Sequence, residues 1–346
     1  MDNIFFDHPK LIEYISSNDY SEAARLLLRE QLKVWKDLDS AYTSLKSVQL
    51  KSFQYNGFVI KVQHNPGRVK SSTAKVDEKS IKERKCFLCP ENLYNEQQAL
   101  KYGNDFLILV NPFPILTEHY TIPHVNHIPQ RIREWFGSML LLSKDMQRDV
   151  LIYNGPKCGA SAPDHLHFQA GSKFFMPLDD EFHSLKNEYG EIIVDDDKIT
   201  VAGIDDGLRK FISVETNDIA AAEFVFKILF ESYLKVSPDE IEPMMNILVL
   251  YEPQKEEGEF FGWRIIIFLR NKHRSSHYFR DGEDRILLSP AAVDLGGLCI
   301  LPFKNDFEKI TKNDITEIFK EVSIGKEQFE FIKADIKKSL SGNSFI

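Results

Sequence analysis

The stretch SAPDHLHFQAG, Ser161 to Gly171, decides the reading of this chain. Side chains alternate across a β-strand, so His165, His167 and Gln169 share one face while Leu166 and Phe168 take the other. Two imidazoles and an amide make a poor core, because each buried polar group needs a partner. In register and just after a Gly-rich turn, they read as a site. Imidazole serves as metal ligand, general base or covalent nucleophile. The preceding loop, YNGPKCGAS, narrows the choice: Asn154, Gly155, Gly159 and Ser161 are small or polar and let backbone N–H groups approach an anion. A histidine beside a phosphate cradle points to attack on phosphorus.

Working outward, the spacing predicts strands over FLILVNPFPILTEHYTIP with a turn at Asn111–Pro114, a helix over PQRIREWFGSMLLLSKDMQ and a strand at DVLIYNG. The first fifty residues read as helical and GFVIKVQ as a strand. The order helix, strand, loop, strand recurs in DIAAAEFVFKILFESYLKV, MMNILVLYEP and GWRIIIFLR, with WRIIIFLR where DHLHFQAG stood. The expected fold is therefore α+β, an antiparallel sheet with flanking helices in two repeats, the second degenerate and without its histidines. The expected division is a helical segment over 1–50, a catalytic half over 51–175, and a second half with a helical tail over 176–346. RILLSPAAVDLGGLCILP reads as further strand material, and the tail from Asp306 as helix.

The 346 residues carry a net charge of −9, against a general nucleic-acid or membrane-surface role. The opening MDNIFFDHPK lacks the basic start and apolar core of a signal peptide, and no apolar run approaches a membrane span. Four cysteines in a chain this long do not form a disulfide framework, so a reducing cytoplasm is the expected compartment. Residues 64–85 nonetheless hold seven Lys/Arg against three Asp/Glu, which reads equally as a solvated loop or an anion site. A second basic run, RNKHRSSHYFR, carries Arg270, Lys272 and Arg274 at the end of an apolar strand, where phosphate binding and a solvated strand end are the two readings. Cys86 and Cys89 form a C-x-x-C without the βαβ context of a redox pair, so zinc is the reading, with further ligands among His119, His124, His127 and His165. Cys158 and Cys299 read as packing residues.

Together DHLHFQAG, YNGPKCGAS, NPFPILTEHYTIP, QHNPGR and SPAAVDLGG resemble the histidine triad superfamily. The nearer likeness is to its transferase branch, which holds galactose-1-phosphate uridylyltransferase, diadenosine tetraphosphate phosphorylase and the GDP-L-galactose phosphorylases. The resemblance covers residues 56 to 175 well. It implies that His167 is the nucleophile that forms a nucleotidyl-histidine, that Gln169 bonds a nonbridging phosphate oxygen, and that Asn154, Gly159 and Ser161 hold the phosphates. Asn65, Arg68, Arg270, Lys272 and Arg274 would supply polar contacts and positive charge. Inorganic phosphate or a sugar phosphate would take the nucleotidyl group in ping-pong fashion. Cys86, Cys89, His127 and His165 would hold a structural zinc, with no organic cofactor and a homodimer compatible with the pattern.

The family's usual Gly-His is Glu118–His119 here, and Leu166 stands where the uridylyltransferases have proline. Leu166 and Phe168 match the GDP-hexose phosphorylases, which favours phosphorolysis of a nucleoside-diphosphate hexose, GDP-hexose preferred. Phosphorolysis of diadenosine polyphosphates is the alternative and shares every catalytic residue. A zinc-bearing nucleic-acid binder using residues 64–89 is a third reading and leaves His167 without a role.

Overall fold

The computed structural model describes residues 4–69, 78–253 and 260–341. Part of the basic segment, residues 70–77, and part of the polar loop, residues 254–259, lie outside the described residues.

Thirteen strands are described: β1 (Gln49–Gln54), β2 (Val59–His64), β3 (Ala99–Tyr102), β4 (Phe106–Val110), β5 (His119–Pro123), β6 (Asp149–Asn154), β7 (His167–Ser172), β8 (Gly190–Asp195), β9 (Ile199–Asp205), β10 (Lys210–Thr216), β11 (Met245–Glu252), β12 (Gly262–Leu269) and β13 (Leu298–Leu301). Ten of them form one sheet in the order β3-β4-β5-β7-β6-β11-β12-β10-β9-β8. Every neighbouring pair is antiparallel. The fold is thus α+β, a large antiparallel sheet flanked by helices.

Read from each outer edge inward, the order is 3-4-5-7-6 on one side and 8-9-10-12-11 on the other. Each side has a helix between its third and fourth strands in the chain, Phe136–Asp145 and Ile219–Val236. The two sides join where Asn154 pairs with Asn246 and Leu151 with Val249. In the second side β12 carries Trp263, Arg264 and three isoleucines where β7 carries His167 and Gln169.

Both faces of the sheet are covered, and so its central strands are apolar almost throughout. One face buries Tyr153, Phe168, Ile247 and Ile265 against helices Tyr20–Val34, Phe136–Asp145, Ile219–Val236 and Lys326–Ser341. The other buries Ile152, Leu248, Ile266 and Phe268 against Phe182 of helix Pro177–Tyr189, Ile60 and Val62 of β2, and Phe319 of helix Lys312–Val322. The Ile219–Val236 helix starts where Asp218 accepts from the Ala220 and Ala221 N–H groups, at 2.8 and 3.3 Å.

Two expectations change. The helix expected from Pro129 starts only at Phe136, because the segment before it is held by other bonds: Gln130 is spent on strands β6 and β7, and the Ile132 N–H donates to Glu242 at 2.6 Å. RILLSPAAVDLGGLCILP yields one short strand, β13, paired parallel to β2, preceded by a helical turn at Ala292–Leu295. The Asp294 carboxylate accepts from the N–H groups of Ala291 and Ile300, which ties that turn to the strand. Among the described residues no helix is long and apolar enough to cross a membrane.

Candidate active site

Strand β7 delivers the predicted alternation. Leu166, Phe168 and Ala170 enter the core of one face, and His167 and Gln169 lie on the other, with His165 one residue upstream of the strand. His167 is buried, and its Nδ1 lies 2.8 Å from the His165 carbonyl oxygen. Nδ1–H is therefore the donor, and the lone pair is on Nε2. Burial pulls this imidazole down to about 4, which keeps it unprotonated at neutral pH. Gln130 clamps the start of the strand: its Oε1 accepts from the His167 N–H at 2.7 Å, and its Nε2 donates to the carbonyls of His167 and Asn154 at 3.0 and 2.9 Å.

Gln169 is oriented from β5. The Ile115 N–H donates to Nδ1 of His119 at 3.4 Å, so Nε2 carries the proton and donates to Oε1 of Gln169 at 3.1 Å. That fixes the amide flip, and among the described residues the Gln169 NH₂ has no hydrogen-bond partner and is available to a ligand oxygen. Burial, then the nearby Arg68, pull His119 down to about 3. The sequence offers His119 as a zinc candidate and does not reveal this role, because its partner is fifty positions away.

Two cavities meet at Gln169, Ser161 and Arg68. The larger, about 450 Å³, is walled by Phe87, Leu88, Leu109, Phe113 and Tyr94. The smaller, about 110 Å³, adds Asn154, Gly159, Arg274 and His273. Asn154 is locked: its Oδ1 accepts from Asn246 Nδ2 at 2.7 Å and from the Ala292 N–H at 2.9 Å. Gly159 sits at φ +94°, and a Cβ there would lie 2.8 Å from Ala291 Cβ, so the close approach and the backbone both require glycine. Arg68 donates from Nη1 to the Phe113 carbonyl at 2.8 Å, and burial lowers it only to about 10, so it stays cationic.

The other predicted anion contacts divide. Asn65 is buried, donates to the Pro114 carbonyl at 3.2 Å and lines a neighbouring cavity beside Trp35 instead of these two. Arg274 lines the smaller cavity. Arg270 lies behind it: its donors are spent on Asn246 Oδ1 at 2.6 Å and on the carbonyls of Val322, Pro290, Lys272 and His273. Lys272 is exposed and paired with Glu321 at 3.0 Å. The strand end that carries Arg270 is packed over, and so its guanidinium braces Asn246 and, through it, Asn154.

Cys86, Cys89, His127 and His165 come together, with one donor atom from each all within 4.8 Å of one another. Cys86 Sγ and Cys89 Sγ lie 3.3 and 3.6 Å from His165 Nδ1, and Cys89 Sγ lies 3.2 Å from His127 Nδ1. Tetrahedral zinc with Zn–S of about 2.3 Å and Zn–N of about 2.1 Å requires S···N of about 3.6 Å, so the donor set fits a metal. His165 Nε2 donates to the His124 carbonyl at 2.7 Å, which leaves Nδ1 as the ligand atom. His127 Nε2 is 3.5 Å from Asp164, itself paired with Arg84 at 2.6 Å. His124 packs on Trp135, its ring centroid 4.6 Å away, and is not in the cluster. Burial and the Cys86 thiol push Cys89 up to about 12. A bound cation would reverse that.

Residues 27–172 match the family described as Domain of unknown function (DUF4922), and residues 245–343 match the family GDPGP1-like, C-terminal domain. Yeast Ap4A phosphorylase Apa2 aligns over 86% of this chain and 97% of its own, at TM-score 0.51 and 15% identity. The same enzyme in complex with Ap4A aligns over 84% and 96%, at TM-score 0.51 and 13% identity. This chain therefore shares the fold of that enzyme. A uridylyltransferase structure aligns more loosely, over 74% of this chain and 93% of its own, at TM-score 0.40 and 11% identity. A comparison with curated proteins finds no match.

Proposed function

We propose that the chain is a nucleotidyltransferase that works as a phosphorylase on a nucleoside-diphosphate hexose, GDP-hexose preferred, through a nucleotidyl-His167 intermediate. The observation that carries this is the unprotonated Nε2 of His167 on the strand face that also presents the oriented amide of Gln169 where two cavities meet. The aromatic cavity is of a size for a nucleoside, and the smaller, cationic one for the phosphate that leaves and the phosphate that accepts.

His167 Nε2 attacks the α-phosphorus, the bond to the bridging oxygen breaks, and hexose 1-phosphate departs. Inorganic phosphate then attacks the same phosphorus, and the P–Nε2 bond breaks to release the nucleoside diphosphate. The leaving phosphate is already ionised and needs little acid help, so positioning and charge carry the rate. The Gln169 amide, the Ser161 hydroxyl and the 154–159 loop orient the phosphates, and Arg68 and Arg274 offset their charge. Zinc at Cys86, Cys89, His127 and His165 would supply structural cross-linking that holds the approach to His167. In this reading residues 51–175 form the catalytic half and 176–346 a supporting half, whose Asn246 and Arg270 brace Asn154.

Leu166 and Phe168, which match the GDP-hexose phosphorylases that the sequence resembles, support the GDP-hexose preference. Diadenosine polyphosphate phosphorolysis is the second reading, favoured by the alignment with Apa2 bound to Ap4A. The test is product analysis by ³¹P NMR with GDP-glucose, GDP-mannose or Ap4A in phosphate buffer. Hexose 1-phosphate and GDP support the first reading, ADP and ATP from Ap4A the second, and unchanged substrates overturn both.

A further inference from the structure

The smaller cavity holds a side chain that the chemistry above does not use. His273 lines it with Arg274, Ser289 and Asp294, none of which lines the larger cavity. Its ring is partly buried, and among the described residues neither ring nitrogen has a hydrogen-bond partner. The surroundings are cationic. Burial first, then Arg274 and Arg270, pull the imidazole down to about 4. The ring is thus neutral at physiological pH, with one N–H and one lone pair.

Among the described residues Arg274 is held but has no acidic partner. Its Nε donates to Ser289 at 3.0 Å and its guanidinium lies 4.1 Å from the Tyr278 ring centroid, leaving the terminal nitrogens as a fork for an oxyanion. Asp294, the acid in the lining, is already occupied by the Ala291 and Ile300 N–H groups. Guanidinium groups alone do not separate hydrogen phosphate from sulfate, which have the same shape and charge. The difference is one P–OH, and it discriminates only against an acceptor that is otherwise left unpaired.

We propose that His273 reads the acceptor: its unprotonated ring nitrogen accepts the P–OH of hydrogen phosphate while Arg274 and Arg68 bind the ionised oxygens, so that the cavity takes inorganic phosphate and rejects sulfate. This rests on the transferase reading above. In the second half-reaction an ionised phosphate oxygen attacks the α-phosphorus, the P–Nε2 bond breaks, and its electron pair returns to His167. The proton shared with His273 stays on the phosphate, which leaves as the terminal group of the nucleoside diphosphate.

The experiment has two readouts on the full chain and on His273→Ala and His273→Gln. The first is calorimetric binding of inorganic phosphate and of sulfate. The second is discharge of preformed nucleotidyl-enzyme by each ion. Wild type should prefer phosphate by about tenfold or more, the alanine variant should lose about tenfold in phosphate affinity and discharge while sulfate is unaffected, and glutamine should restore part of the preference. Equal affinity of wild type for the two ions, or an unchanged preference in the alanine variant, overturns the inference. A His273-dependent phosphate preference in a chain that never forms the nucleotidyl adduct sinks the transferase reading and leaves the anion site standing. An adduct that the alanine variant discharges with wild-type selectivity does the reverse.

Discussion

His119 Nε2 donates to Gln169 Oε1 across 3.1 Å, from strand β5 to strand β7, and this bond decides which end of the amide faces the phosphate site. An unbraced glutamine presents oxygen or nitrogen with similar ease, and only the nitrogen helps an incoming anion. His119→Ala should therefore lower kcat by about ten- to a hundredfold with a smaller change in KM, as expected for a lost orienting contact. Steady-state kinetics alongside a thermal melt check it, and an unchanged kcat in a folded variant contradicts it.

The four-donor cluster predicts about one zinc per chain, read by elemental mass spectrometry. Cys89→Ser should lose the metal and lower the melting temperature by several degrees, and strong chelators should do the same to wild type. His124→Gln should keep the metal, since that ring packs on Trp135 outside the cluster.

Glu242 makes stability depend on pH. It is buried, accepts from Tyr153 Oη and the Ile132 N–H, and burial raises its carboxyl from 4.5 to about 7. The folded state then holds a proton that the unfolded state has released between those values. The group's contribution is fully present below the unfolded value and is lost as pH rises through about 7, a change on the order of 3 kcal/mol. Glu242→Gln should flatten that decline, so its stability relative to wild type rises from pH 5 to pH 8 in urea melts. Parallel curves would contradict the assignment.

Arg270 braces rather than binds. Arg270→Lys keeps the charge but not the fan of donors to Asn246 and four carbonyls, and should cost about 2–4 kcal/mol through buried groups left unpaired. Urea titration measures it. A loss confined to phosphate affinity, with stability intact, would instead place the guanidinium at the ligand.

Much of this was legible in the chain itself. The period-two alternation of Leu166 and Phe168 against His165, His167 and Gln169 specifies both a strand and its polar face, because one face must be apolar for the strand to pack. C-x-x-C and the histidines of residues 119–165 carry the metal-ligand chemistry, but choosing His127 over His124 from the residues alone was out of reach: which ring packs on Trp135 is a tertiary fact. Arg270 misled for a related reason. A basic residue after an apolar strand reads as a phosphate contact or a solvated end, and only its bonds to the Pro290 and Val322 carbonyls show that it is interior. Gln130 was hidden inside a run of helical composition, where side-chain bonds to neighbouring strands override propensity. The turn at Ala292–Leu295 has an apolar composition that suits strand or helix, and the Asp294 bonds decide it.

The central claim is that His167 takes a nucleotidyl group, and intact mass tests it most directly. Purified chain and His167→Ala are mixed with GDP-mannose, GDP-glucose or diadenosine tetraphosphate in the absence of phosphate. The account predicts a gain of one nucleoside monophosphate by the wild type alone, reversed on adding phosphate, with the productive donor naming the base. An adduct of the same mass on His167→Ala, or none on wild type while substrate is still turned over, would contradict it.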